Sequence, residues 1–179
     1  MEKGTPKKEL YFKVIKRAVI LVVLGLVYNR LLDFEFEKLR VASVLGEIGI
    51  AYLIASIIAI NARSFKTISF WIVGILAGHA ILQLFVPVPG HGAGVLTPEG
   101  CIDGYIDRMF LPGRLYSKAY DPEGILCVMF ASALPLMGTL AGLILRSKDS
   151  KLYRKVIMLV VIGALLVIAA LVLDIWYPI

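Results

Sequence analysis

Two histidines and a set of acidic side chains stand in or beside one polar stretch, residues 87–124, PVPGHGAGVLTPEGCIDGYIDRMFLPGRLYSKAYDPEG. His79 comes just before it, one turn from the outer end of an apolar run, and follows Gly78. A neutral imidazole there can act as a general base facing the polar stretch, or as a packing histidine with a satisfied hydrogen bond. His91 sits in Pro-Gly-His-Gly-Ala-Gly, which suits either close approach to a ligand or an ordinary solvated turn. Asp103 and Asp107 are spaced i, i+4, so a short helix would set both on one face, with Tyr105 between them. Arg108 offers a planar fork for a carboxylate or a phosphate. In Tyr120-Asp-Pro-Glu-Gly, Asp121 reads as a helix cap, Pro122 as a first helical residue and Glu123 as a complement to the helix dipole. That account needs no catalysis, although free amides at a helix start can also orient an anionic or carbonyl group.

Other signatures are absent. Gly90, Gly92 and Gly94 form no phosphate loop, because no strand precedes them and no Gly-Lys-Ser/Thr follows. The histidines and carboxylates lack zinc spacing, so no metal site is assigned. Cys101 and Cys127 could pair in an oxidising space, but spacing alone does not decide this, and two free thiols is the simpler reading.

The elements that must position these residues are membrane-like. The chain has 179 residues, 59% hydrophobic and 18% charged, with a mean hydropathy of +0.85. Soluble domains are less apolar and more charged. Five segments approach the roughly 20 apolar residues that a spanning helix needs, at about 14–32, 41–60, 68–86, 124–145 and 156–175. The expected fold is an all-α integral membrane bundle, a single membrane domain with one long outer loop, residues 87–123. A barrel would require alternation that these runs lack. No cleavable leader is expected, since the first apolar run continues to span length.

The net charge of +6 does not point to nucleic acid. The basic residues cluster beside apolar runs, at residues 3–17, at Arg63 and Lys66, and at residues 146–155. Fewer lie on the other side, at Arg30, Lys38, Arg40, Arg108, Arg114 and Lys118. The bias predicts a cytoplasmic N-terminus, with the 87–123 loop and the C-terminus outside. Trp71, Trp176 and Tyr177 fall near expected interfaces. Gly74/Gly78 and Gly138/Gly142 are small-xxx-small pairs that would let helices approach closely. Pro135 predicts a kink at or one turn before itself. Glu47, about one turn into the second span, is an intramembrane acid that either snorkels outward or pairs with a base such as Arg40 or Arg108.

The segments GYIDRMFLPG (104–113), Leu115-Tyr116 and YDPEGIL (120–126) resemble the heparan-α-glucosaminide N-acetyltransferase family of multi-pass membrane proteins. PGHGAGVLTPEG (89–100), LRVASVL (39–45) and Leu140-Ala-Gly142 resemble its bacterial branch. The resemblance runs from about residue 14 to 178. It implies transfer of acetyl from acetyl-CoA, a co-substrate and not a bound cofactor, to an amino sugar or similar glycan at a bacterial inner membrane. The family's catalytic histidine lies in a segment near its N-terminus, ahead of the matched region. The resemblance therefore gives His79 and His91 no catalytic role and implies that this chain matches the family's middle portion, as a partial or inactive acyltransferase. Glu47 stands where a basic or amide residue is expected. The partners implied are the bilayer, a glycan acceptor, and the remaining helices or a second copy. A non-catalytic structural or binding subunit is the alternative. A transporter ranks last, because paired broken helices are lacking.

Overall fold

The computed structural model describes residues 6–34, 39–62, 64–147, 151–175 and 177. Lys3, Lys38, Arg63, Lys148 and Trp176, used above for topology, lie outside the described residues. Seven α-helices are assigned among the described residues, with one short 3-10 turn at Leu31–Asp33: α1 (Lys7–Tyr28), α2 (Val44–Asn61), α3 (Phe65–Phe85), α4 (Ile102–Phe110), α5 (Ile125–Ala131), α6 (Ala133–Arg146) and α7 (Leu152–Asp174). Extended pairing among the described residues is limited to the isolated bridges Arg40–Gly113 and Val88–Gly92. The all-α expectation holds.

Among the described residues four segments are long and apolar enough to cross a membrane: α2, α3, residues 125–146 and α7. They follow the expected spans within a few residues. The first expected span is different. α1 begins at Lys7, ends at Tyr28 short of residue 32, and carries Lys13, Lys16 and Arg17 within its length. Cations at membrane depth are costly, which removes it from the set of apolar spans. The helix stops because Arg30 takes a left-handed conformation (φ 71°) and Asn29 turns outward to the next segment. The Asn29 amide donates to the carbonyls of Arg40 (2.9 Å) and Ala42 (2.7 Å), tying the end of α1 to the start of α2.

The contacts divide the chain into two units, residues 1–137 and 138–179. In the first, α1 and α2 pack through small residues. Gly25 faces Ser43, and a methyl at Gly49 would lie 3.0 Å from the Ala18 carbonyl and from Leu21. Ser43 caps α2 by accepting from Gly46 N–H (3.0 Å). The faces at the small-xxx-small pairs are open: nothing lies within 4 Å of a methyl at Gly74, Gly78, Gly138 or Gly142 among the described residues. The helical segment 125–146 is interrupted at Ser132, one turn before Pro135, where the kink is expected. In the second unit, α7 is apolar on all faces and Lys155 is its one buried residue. The Lys155 ammonium donates to the Leu145 carbonyl (2.9 Å) and to that of Ser147, closing the C-terminal end of α6.

The polar stretch is folded. Val88 and Gly92 close a tight turn, and Gly90, Gly92 and, just after it, Gly94 all have φ between 74° and 87°, a region that favours glycine. Below it, Val88, Ile102 and Leu126 form a buried cluster, with Tyr105, Ile106 and Phe130 against it. This apolar plug seats α4 between α3 and α5. Cys101 caps α4 through its thiol, which accepts from Gly104 N–H (3.3 Å), and neither cysteine is in a disulfide.

Candidate functional site

α4 is the short helix expected from the spacing of Asp103 and Asp107, and both acids are buried. They face different surroundings. Asp107, fully buried, accepts from the backbone N–H of Ile125 (2.9 Å) and of Asp121 (3.2 Å). It thereby caps α5 from another helix. Gly124 leaves no room for a side chain here, since a methyl would run into the Asp107 carboxylate. Burial, with the charges of Asp121 and Asp103 adding to it, pushes the Asp107 carboxyl above its ordinary range, against the opposing pull of the two amides.

The capping role expected of Asp121 is therefore taken by Asp107. α5 starts at Ile125 with Gly124 as its cap residue, so Asp121 lies too far upstream to reach the free amides of the first turn. Asp121 is instead the fully buried centre of a clamp. It accepts from Arg40 Nε (2.8 Å) and Nη2 (2.5 Å), from Tyr116 N–H (2.9 Å) and from Glu123 N–H (3.1 Å). Arg40 also pairs with Glu123 and lies over the Tyr116 ring, 4.9 Å from its centroid. This bidentate arrangement locks the end of the loop to the segment before α2.

Arg108 does not act as a free anion fork. Its guanidinium donates to the carbonyls of Glu99 (2.9 Å) and Ala119, stitching the two sides of the loop together. Glu47 lies in the first turn of α2, half-buried, and pairs with neither Arg40 nor Arg108, both of which are engaged elsewhere. His91 is exposed at the tip of the glycine turn. Tyr105 packs on the apolar plug.

His79 meets Asp103. Its Nε2 is 3.0 Å from Asp103 Oδ2, and its ring stacks on Phe130 with centroids 4.2 Å apart. Gln83, one turn further along α3, donates to the same Asp103 oxygen at 2.6 Å, and the Cys127 thiol approaches it at 3.7 Å. Gln83 and the pairing role of Asp103 are not apparent from motifs. The available signal was the polar pair His79/Gln83, spaced i, i+4 in an otherwise apolar helix. Arg40 as the partner of Asp121 had no local signal. Chemically, the buried carboxylate orients the imidazole in the manner of an acid–base pair, at a junction of α3, α4 and α5. Among the described residues no three His, Cys, Asp or Glu side chains are grouped to hold a metal ion.

No family model matches the chain. Two curated proteins do. Heparan-alpha-glucosaminide N-acetyltransferase of Mus musculus is 26% identical over 194 residues, covering 81% of this chain and 29% of that protein. The Homo sapiens protein of the same name is 27% identical over 202 residues, covering 83% of this chain and 30% of that one. Any continuous 81% of the chain includes residues 87–124, so the matched region contains both buried acids of α4 and the Arg40 clamp. The chain spans about 30% of the length of these relatives. It is thus distantly similar, across some four-fifths of its length, to heparan-alpha-glucosaminide N-acetyltransferases.

Proposed function

We propose that this chain forms part of a membrane acyl-transfer site, one that moves acetyl from acetyl-CoA to an amino sugar or similar glycan. The observation that carries the reading is the similarity, through the polar stretch, to two N-acetyltransferases. In this reading the chain corresponds to the middle portion of the longer relatives and to their bacterial branch. It lies in a bacterial inner membrane with its N-terminus cytoplasmic and residues 87–123 and the C-terminus outside. Asp107, Asp121, Glu123 and Arg108 hold the loop in shape, and the His79–Asp103 junction forms part of the acceptor side. The amine nitrogen attacks the thioester carbonyl, the C–S bond breaks, and the proton lost from the amine passes through a base to the departing sulfur, so that CoA leaves as its thiol. The donor side and that base belong to the remaining length of the relatives.

The test uses membranes bearing this chain alone, and bearing a chimera that joins it to the remaining length of the mouse relative, given labelled acetyl-CoA and glucosamine. Transfer by the folded chimera and not by the chain alone is expected. Robust turnover by the chain alone overturns the partial assignment, and a folded chimera without turnover overturns acyl transfer.

A non-catalytic membrane subunit is favoured by a separate observation: the open space at Gly74, Gly78, Gly138 and Gly142, where other helices can approach. Crosslinking from those positions distinguishes the two readings. Intermolecular products with a second copy or another helix protein, without acetyl transfer in the chimera, would establish the subunit role.

A further inference from the structure

The junction of His79, Gln83, Asp103 and Cys127 has a feature that the rest of the loop lacks. Asp103 and Gln83 are each only 7% exposed. All three approaches to Asp103 fall on Oδ2. Among the described residues its Oδ1 is buried with no partner, and so is Gln83 Oε1. The Gln83 amide cannot be turned to repair this, because rotation would set its oxygen 2.6 Å from a carboxylate oxygen. Buried polar atoms are nearly always paired, so two orphan acceptors in one hydrogen-bonded cluster call for a donor.

Charge narrows the choice. Cys127 lies within electrostatic reach of Asp103, Asp107 and Glu47, so three acids share this neighbourhood. The nearby guanidinium of Arg40 is committed to Asp121 and Glu123, and that of Arg108 to backbone carbonyls. His79 is the one ionisable donor on Asp103 besides the Cys127 thiol. A neutral hydroxyl donates a single hydrogen and brings no positive charge into this acidic neighbourhood. A primary ammonium, with three N–H donors and a positive charge, answers both needs. His79 is the more exposed member of the pair, its side chain 25% exposed against 10% for Asp103.

We propose that this junction is a binding subsite for a primary ammonium group, with Asp103 Oδ1 and Gln83 Oε1 as its acceptors and the Asp103 carboxylate as its counter-ion. That the ammonium belongs to an amino-sugar acceptor rests on the acyl-transfer reading; the ammonium chemistry does not. His79 and Cys127 are positioning residues that hold Asp103 Oδ2 and so present Oδ1.

The test titrates the full chain in nanodiscs with glucosamine, ethanolamine, N-acetylglucosamine and glucose. Glucosamine and ethanolamine are expected to bind, and the two compounds lacking an ammonium to bind at least tenfold more weakly. Asp103→Asn and Gln83→Met should each weaken glucosamine at least tenfold, and His79→Gln less. Equal affinity for glucosamine and glucose, or no binding of either amine, overturns the proposal on the wild-type chain alone, where folding is not in question. Ethanolamine binding without glucosamine supports the ammonium subsite and removes the amino sugar. Acetyl transfer by the chimera, with KM for glucosamine unchanged in Asp103→Asn, keeps acyl transfer and overturns the subsite.

Discussion

Asp103 and Asp107 are the same residue type, one turn apart on the same short helix, and both are buried, yet the fold treats them in opposite ways. Asp107 faces the start of α5 and the turn before it, and each of its oxygens takes one backbone amide there, Oδ1 that of Ile125 and Oδ2 that of Asp121. Asp103 faces the side chains of α3, and one of its oxygens takes every contact while the other takes none. A carboxylate on a helix start is a structural cap. A carboxylate that orients an imidazole and keeps an acceptor free has capacity left for a ligand. The difference teaches that burial and spacing alone do not separate a structural acid from a functional one; the identity of the facing donors does.

The largest expected effect tests the frame that holds both acids. Arg40→Ala leaves fully buried Asp121 without its bidentate partner and should cost about 3–5 kcal/mol, read as loss of heat or SDS resistance in detergent. The comparison itself is tested by the same substitution at the two acids. In Asp107→Asn the new amide nitrogen must face a backbone N–H of Ile125 or Asp121, at an expected cost of about 1–3 kcal/mol by the same unfolding measurement. In Asp103→Asn the amide nitrogen can occupy the Oδ1 side, which no donor faces, so stability should change by less than about 1 kcal/mol. Equal losses at the two positions would break the distinction. The smallest effect is in pH. Because burial raises the folded Asp107 pKa above its unfolded value of about 3.9, its contribution is most favourable below that value and fades as pH rises through the folded one. The stability of wild type relative to Asp107→Asn should therefore fall as pH is raised from about 4 toward neutrality. A difference that rises over that range would mean that the two amides outweigh burial.

Much of the architecture was legible from local pattern. Runs of apolar residues at spanning length became α2, α3, residues 125–146 and α7, the break at Ser132 came one turn before Pro135, and the i, i+4 acids became α4. The first expected span differs from the others in carrying Lys16 and Arg17 inside it, where apolar length alone does not register the cost of a cation. Small-xxx-small spacing occurs in several helices, and only the approach of α1 to α2 selects Gly25 and Gly49 over Gly74 and Gly78. At the site, His79 was visible as a polar residue in an apolar helix, whereas Gln83 beside it passed as a neutral one.

By itself the sequence determined the helices and their apolar character, because a helix closes its hydrogen bonds within four residues and the bilayer selects on local hydropathy. Tertiary structure decided which charges meet. Asp107 caps a helix that begins 18 residues away, and Arg40 clamps an acid 81 residues downstream. Such pairings depend on where separate helices bring their ends together, and no local spacing encodes that. The unused oxygens of Asp103 and Gln83 belong to the same class: they are defined by what failed to arrive beside them once α3, α4 and α5 had packed.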